Sequence, residues 1–265
     1  MLELYQFELS HYSEKVRLIL DYKGLQYRKI EVTPGVGQLE VYRLSGQRQL
    51  PVLKDGNIVI ADSTAIAQYL DQQYPDRPLY PSDAKERALT TILEEWADES
   101  IGQKSRKVLF SGLSQDQRFR SALLPAATPD FLKNLVEAVP SDILKTLGIG
   151  LGATPEAVSS ATDSIKQSLE ALCTILKEVP YLLGNTPTVA DFAVAGLSIL
   201  LKFPTGPYLD LPETLRGKGV AGIADNPDYE IFFNWRDRLY AEYRQPLIPT
   251  TTSSSSSRPT SIQID

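Results

Sequence analysis

The spacing of apolar residues changes several times within the first eighty residues. A short apolar run over residues 2–7 fits a buried strand. Residues 16–22 then follow helical spacing until Gly24 ends the pattern. Residues 27–32, with three apolar positions, suggest a second strand. This stretch therefore predicts a strand, a helix and a second strand.

The next stretch predicts two more strands and a capped helix. Residues 51–60 fit a hairpin that turns at the sequence DGN, residues 55–57. Asp62 and Ser63 are good caps for a helix that follows directly. With a weakly marked helical segment near 36–45, the predicted order is βαβαββα, a small α/β domain over residues 1–80.

Helical spacing dominates the rest of the chain. Three prolines between residues 75 and 81 predict a linker, and residues 82–246 then predict an all-helical domain. Four helices are expected: one over about 83–108, one beginning at Thr154-Pro155 and ending near Lys177, one introduced by the capping-box sequence TVAD at 188–191, and one beginning near Asn226-Pro227.

Two segments follow neither pattern. Residues 110–153 are interrupted by proline and glycines, and we interpret them as an insertion in the helical domain. The insertion could be a lid over a substrate pocket, a dimer surface or a membrane-facing patch. Residues 247–265 include the sequence TTTSSSSSRP, which is too polar to offset its ordering entropy, and we expect a disordered tail.

Composition narrows the possible classes of function. The chain has 265 residues, 42% of them apolar and 23% charged, with a net charge of −6, so nothing favours a polyanionic partner such as nucleic acid. A single cysteine, Cys173, and a single histidine, His11, exclude a disulfide framework and a His/Cys metal site, and they disfavour a Ser-His-Asp triad. No secretory signal or spanning apolar segment is recognisable, which predicts a cytoplasmic protein.

The main candidates for a functional site lie between the first predicted strand and the first predicted helix. Ser10 and Ser13 occupy a junction where backbone N–H groups point outward and the helix dipole is positive. One of the two hydroxyls is expected to cap the helix, because serine is a preferred cap. The same junction would also stabilise an anion.

Four motifs occur in an order and spacing that are specific together. They are SHYSEKVR at residues 10–17, QLPVL at 49–53, DSTAIAQYL at 62–70 and LGNTPTVAD at 183–191. With these motifs the chain resembles the cytosolic glutathione transferase family, which has a thioredoxin-like N-terminal domain and a helical C-terminal domain. The opening LYQF is also similar to type-two membrane-associated prostaglandin E synthase, whose CxxC site would align with residues 10–13.

The resemblance implies a role for each of five residues. Ser10 would donate a hydrogen bond to the glutathione thiolate and lower the thiol pKa. Leu50 would offer its backbone to the cysteinyl part, next to a cis Pro51. Ser63 would receive the γ-glutamyl carboxylate, and Asp62 the ammonium group. Glutathione would be a co-substrate, with no further cofactor, and the protein a homodimer.

The chain also departs from the family pattern. Gln6 occupies the position of the catalytic tyrosine of tyrosine-type members, so the serine type fits better, with Tyr5 and Tyr12 as possible substitutes. No cysteine stands at position 10, which disfavours disulfide exchange. The usual Asn-Pro pair before the cis-proline is absent, and Arg48 and Gln49 become the candidates for binding the glycyl carboxylate.

His11, Tyr12 and Ser13 are secondary site candidates, and we expect the His11 ring to be solvated. In the helical domain, residues near Trp96, Ser105 and Phe110 are expected to line the pocket of the second substrate.

The predicted function is conjugation of the glutathione thiolate to a hydrophobic electrophile, as in detoxification. The alternatives are a non-catalytic binding or interaction protein with the same fold, and a glutathione-dependent isomerase or peroxidase.

Overall fold

The computed structural model describes residues 1–32, 37–115, 138 and 154–247. The N-terminal elements are those that the apolar spacing predicts. They are β1 (Leu2–Gln6), α1 (His11–Tyr22), β2 (Tyr27–Glu31), α2 (Gln38–Ser45), β3 (Val52–Asp55), β4 (Ile58–Ala61) and α3 (Ser63–Gln73).

These strands form one mixed sheet in the order β2-β1-β3-β4. β1 pairs parallel to β2 and antiparallel to β3, which is joined to β4 by the predicted hairpin. Asp55 faces Ile58 in the register, so Gly56 and Asn57 form the turn, and Gly56 has a φ of +58° that favours glycine. The predicted α/β class of this half is confirmed.

The second half is helical, as predicted. Its main elements are α4 (Ala84–Trp96), a π-helical turn (Ala97–Gly102), α5 (Gln103–Gln115), α6 (Pro155–Leu176), α7 (Val189–Leu197) and α8 (Glu230–Tyr243). The single helix expected over 83–108 is therefore interrupted by a π-turn. Most of the insertion predicted at 110–153, and the tail after residue 247, lie outside the described residues.

The predicted helix starts are confirmed by their caps. The Thr154 side chain accepts a hydrogen bond from the Ala157 N–H at the start of α6. Thr188 and Asp191 form a capping box at the start of α7. The Asp191 carboxylate is buried and also accepts a bond from the Leu182 N–H at 2.8 Å, so this helix start is fixed inside the core.

The core places α1 between the sheet and the helical half. α1 packs closely on α7 at Gly196, where a Cβ atom would lie 2.6 Å from the Lys15 backbone nitrogen. Leu79, in the proline-containing segment between α3 and α4, is buried, and its carbonyl oxygen accepts a bond from the Val189 N–H at 2.9 Å. The two halves therefore share one continuous hydrophobic core. None of the described helices is long and apolar enough to cross a membrane.

Candidate active site

A cleft of about 980 Å³ opens between the two halves. On one side it is bounded by the N-termini of α1 and α3 and by the loop before β3. On the other side it is bounded by α4, the π-turn and α5. Its lining includes Ser10, His11, Tyr12, Arg48, Gln49, Leu50, Pro51, Asp62 and Ser63, which are the residues predicted to bind glutathione or to assist Ser10; of that set only Ser13 does not line the cleft.

Ser10 is the N-cap of α1. Its backbone is extended, and its Oγ accepts a hydrogen bond from the Ser13 N–H at 3.2 Å. A hydroxyl accepts and donates, and among the described residues no group takes the Ser10 proton. The Ser10 hydroxyl therefore accepts one bond from the helix and keeps its own proton available at the cleft.

The loop before β3 brings four of the predicted residues to the cleft: Arg48, Gln49, Leu50 and Pro51. The Leu50–Pro51 peptide bond is cis, as the family resemblance implies. Arg48 and Gln49 are exposed at the rim. The Arg48 guanidinium carbon lies 5.8 Å from the centre of the Tyr42 ring, a cation-π distance that leaves the charge near the opening.

The N-terminus of α3 brings the predicted residues Asp62 and Ser63 to the cleft. Asp62 has a φ of +81°, and its Oδ1 accepts bonds from the Thr64 and Ala65 N–H groups at 2.9 and 3.0 Å. Ser63 follows as a buried residue that still lines the cleft. Because Asp62 caps its own helix, part of the positive N-terminus is already satisfied, and the Ser63 hydroxyl and Asp62 Oδ2 are the groups left toward the cleft.

His11 is not solvated, and that expectation was wrong. Its ring is only 4% exposed, and Nε2 donates to the Gly102 carbonyl oxygen at 2.9 Å. Burial, reinforced by the nearby charge of Arg106, lowers the pKa of His11 to about 3. The ring is therefore neutral at physiological pH and packs between the two halves of the molecule. The pattern gave no sign of this, because the partner lies on the helical half.

Three charged residues at or behind the cleft, Lys15, Glu94 and Asp98, were missed by the sequence interpretation. Lys15 is fully buried, and its Nζ lies 2.7 Å from Asp98 Oδ2 and 2.9 Å from Glu94 Oε1. Asp98 Oδ2 also accepts a bond from the Thr64 hydroxyl at 3.0 Å. These contacts join α1, α3 and the helical wall behind the cleft. A lysine on the buried face of a predicted helix was the available signal.

Gln6 and Arg17 form a second buried group below the Ser10 turn. The Arg17 guanidinium contacts the Gln6 and Glu14 side chains and donates to the Glu8 carbonyl oxygen at 2.7 Å. Gln6 is thus engaged in supporting this turn. Tyr5, a suggested substitute for the catalytic tyrosine, packs against a separate small core cluster and does not line the cleft.

The helical wall of the cleft differs from the expected one. Trp96 and Ser105 do not line it, and the Phe110 side chain lies outside the described residues. The residues that do line it are mostly polar: Thr91, Glu94, Glu95, Asp98, Glu99, Gln103 and Arg106, with Leu109 and Leu200 as apolar members. On the opposite wall, Phe7, Leu9 and Val32 add apolar surface.

The chain's own cysteine is remote from this chemistry. Cys173 is a buried, free thiol in the core, and burial raises its pKa. Among the described residues, no group of three or more His, Cys, Asp or Glu side chains could hold a metal ion. A nucleophilic sulfur in this cleft would therefore come from a bound ligand.

Sequence comparisons match both halves of the chain to one family. Residues 4–78 match the glutathione S-transferase N-terminal domain, and residues 155–238 match the C-terminal domain. Glutathione S-transferase 1 of Dianthus caryophyllus is 41% identical over 91 residues, which cover 33% of this chain and 41% of that protein. Glutathione S-transferase TCHQD of Arabidopsis thaliana is 25% identical over 219 residues, which cover 75% and 78%. The chain thus spans about two fifths of the first of these relatives.

Solved structures show the same fold. The beta-etherase LigF of Sphingobium sp. superposes with a TM-score of 0.66 at 21% identity, covering 91% of this chain and 95% of that one. A theta class glutathione S-transferase of Xanthomonas axonopodis, solved with glutathione bound, gives a TM-score of 0.52 at 22% identity, covering 73% and 79%. With two domains of one family matched in order and the fold shared, this chain belongs to the glutathione S-transferase family.

Proposed function

We propose that the protein is a glutathione transferase, in which Ser10 activates the thiol of glutathione for attack on an electrophile in the same cleft. The observation that carries the proposal is the meeting of three subsites in one cleft: the Ser10 hydroxyl, the Leu50–Pro51 loop and the Asp62–Ser63 helix start. Each subsite matches one part of the tripeptide: its thiol, its cysteinyl backbone and its γ-glutamyl end.

Thiol activation follows from the bonding of Ser10. A cysteine thiol has a pKa of about 8.5, so a small fraction is thiolate at neutral pH. Ser10 Oγ accepts from the Ser13 N–H, and its own proton has no acceptor among the described residues, so this proton is free to donate to sulfur. A hydrogen bond to a charged group contributes about 1.5–3 kcal/mol, or about one to two pKa units. The thiolate would then be abundant near pH 7.

The γ-glutamyl end carries both charges of an amino acid. The Ser63 hydroxyl and the start of α3 would receive the carboxylate, and Asp62 Oδ2 would receive the ammonium group. At the rim, Arg48 and Gln49 would bind the glycyl carboxylate. Glutathione thus serves as a co-substrate held by hydrogen bonds along its whole length.

The second substrate would contact a cleft lining of mixed polarity, with residues from both walls. Leu9, Leu109 and Leu200 offer apolar contacts, whereas Glu99, Gln103 and Arg106 offer charges and hydrogen bonds. We therefore propose an electrophile with an apolar body and a polar end, which refines the purely hydrophobic substrate expected from the sequence.

A second surface, on α4 and outside the cleft, supports a proposal on assembly. Leu89 and Ile92 lie three residues apart on α4, and they are 41% and 62% exposed. An exposed apolar pair on one helix face fits a contact between protomers. We propose a homodimer, which sedimentation of the purified protein tests. The pair of variants Leu89→Lys and Ile92→Lys is expected to give monomers.

Calorimetric titration of glutathione tests the binding site. Ser63→Ala is expected to weaken glutathione binding about tenfold, because it removes one hydrogen bond to a charged carboxylate. Ser168→Ala is the matched control, since Ser168 bonds to the Ser164 carbonyl on α6 and does not line the cleft. Failure of the wild type to bind glutathione at millimolar concentration would refute the proposal.

A further inference from the structure

The π-turn at Ala97–Gly102 is joined to the first two residues of α1. The Tyr12 hydroxyl donates to the Asp98 carbonyl oxygen at 2.8 Å, and His11 Nε2 donates to the Gly102 carbonyl oxygen at 2.9 Å. π-Turns widen the helical hydrogen-bond pattern and are frequent at functional sites. Here the two carbonyl groups bind side chains that follow Ser10 directly in the sequence.

Neither donor changes its protonation state over the pH range in which a thiol ionises: His11 stays a neutral imidazole with one N–H, and Tyr12 stays a neutral phenol. A carbonyl oxygen only accepts, so the His11 proton resides on Nε2. The pKa of His11 is lowered to about 3, and that of Tyr12 is raised to about 12, chiefly by burial. The two rings lie 4.5 Å apart and pack against each other. The two hydrogen bonds between α1 and the π-turn therefore do not change with pH over this range.

Gly102 permits the close approach of Tyr12. A Cβ atom at this position would lie 2.5 Å from the Tyr12 hydroxyl oxygen and 2.9 Å from its Cζ atom. Any side chain larger than hydrogen would therefore displace the Tyr12 ring. The π-turn and Tyr12 are matched to each other in shape as well as in hydrogen bonding.

We propose that Tyr12 is a positioning residue for Ser10, and that it acts by anchoring the first turn of α1 to the π-turn of the helical domain. The inference rests on the proposed function. Ser10 is the N-cap immediately before His11 and Tyr12, so the place of its hydroxyl depends on where this first turn is held. Misplacing a reacting group by about 1 Å can cost about a hundredfold in rate.

Tyr12→Phe removes the anchoring hydroxyl and keeps the ring. In the glutathione complex, the pKa of the bound thiol, measured from the ultraviolet absorbance of the thiolate against pH, is expected to rise by about one unit. With a chlorodinitrobenzene as electrophile, kcat at neutral pH is expected to fall about tenfold, in line with the lost thiolate. The dissociation constant of glutathione should change less than about twofold, because the other subsites are untouched.

Tyr74→Phe is the matched control. The Tyr74 hydroxyl donates to Asp55 Oδ2 at 2.9 Å, away from the cleft, so the variant loses a comparable bond and should keep the thiol pKa and kcat of the wild type. Gly102→Ala is an independent variant, which keeps the Tyr12 hydroxyl but pushes it from the π-turn. It is expected to reproduce the rise of the thiol pKa.

The outcomes separate this inference from the proposed function. If the wild type binds glutathione and is active, and both Tyr12→Phe and Gly102→Ala keep its thiol pKa and kcat, the positioning role is overturned and the proposed function stands. If the wild type does not bind glutathione, the proposed function fails first. If Tyr12→Phe does not fold by circular dichroism, the thiol pKa of Gly102→Ala decides, and an unchanged value overturns the inference.

Discussion

Helix N-termini at the cleft and in the core are capped by similar side chains, but the caps differ in how many of their hydrogen-bonding groups are already in use. At α7, in the core, both oxygens of Asp191 are used: Oδ1 accepts from the Leu182 N–H, and Oδ2 accepts from the Thr188 N–H and hydroxyl. At the cleft, Ser10 accepts a single bond, and Asp62 caps α3 with one oxygen only. The core cap is saturated, whereas the cleft caps each keep one polar function.

This difference separates a role in folding from a role in binding. A buried polar group must be fully bonded, because an unpaired one costs about 1–3 kcal/mol. A cap that faces a cleft can leave a proton or an oxygen to water, and a ligand can later take the place of that water. Removing the core cap should therefore reduce stability, and removing a cleft cap should mainly reduce activity or affinity.

The largest effect is expected for Asp191→Ala. The variant leaves the buried Leu182 and Thr188 N–H groups without partners, and we expect a loss of about 3 kcal/mol in the free energy of unfolding. Urea denaturation measures it. Asp83→Ala is the control, since Asp83 caps α4 at the surface with two bonds of 3.0 Å and should cost about 1 kcal/mol. Equal losses would remove the distinction between core and surface caps.

The difference in stability between the wild type and Asp191→Ala should also depend on pH. Burial raises the pKa of Asp191 from an ordinary 3.8 to about 6, so the folded protein holds the Asp191 proton more tightly than the unfolded chain. The contribution of this group to stability is then greatest below about pH 4 and is lost as pH rises through 6. The stability advantage of the wild type over Asp191→Ala should therefore grow as pH falls from 7 to 4. An advantage that shrinks on acidification would contradict the raised pKa.

Ser10→Ala tests the cleft cap with the available proton. Losing a charge-assisted hydrogen bond of about 1.5–3 kcal/mol to the thiolate should lower kcat about 10- to 100-fold at neutral pH. Glutathione binding should weaken much less, since the variant keeps the other two subsites. At a pH above the pKa of the free thiol, the difference in kcat should narrow, because the thiolate then forms without help. An undiminished kcat at neutral pH would exclude Ser10 from thiol activation.

Elements of both domains could be predicted where their signals are local. The apolar alternation, the turn residues Gly56-Asn57 and the caps at Thr154 and Thr188 each act within a few residues, and each predicted element is present. The π-turn could not be predicted in this way. Its helical spacing resembles that of an unbroken helix, and its hydrogen bonds to His11 and Tyr12 span about ninety positions of the sequence.

The candidate site could be predicted only in part for the same reason. Ser10, Pro51 and Asp62 belong to short motifs, and the chain brings them to one cleft. The burial of His11 and the ion pairs of Lys15 with Glu94 and Asp98 depend on contacts that α1 makes with the π-turn and with the end of α4. From the sequence, a charged residue is expected to be exposed to solvent, because its buried partner is not known. The expectation that Trp96 and Ser105 line the second-substrate pocket was wrong, because the apolar spacing does not fix which face of these helices turns toward the cleft.

The smallest effect is expected for Asp62→Asn, which separates the two uses of one side chain. Asparagine caps helices as well as aspartate does, and it tolerates the positive φ of this position. The free energy of unfolding should therefore stay within about 0.5 kcal/mol of the wild type. The change at Oδ2 should weaken glutathione binding by a factor of about three to ten, because the amide NH2 that replaces this oxygen only donates and cannot accept a bond from the ammonium group. Calorimetry at two salt concentrations measures this change, and the difference from the wild type should shrink at high salt. Unchanged affinity would mean that Asp62 serves only as a cap, like Asp191 in the core.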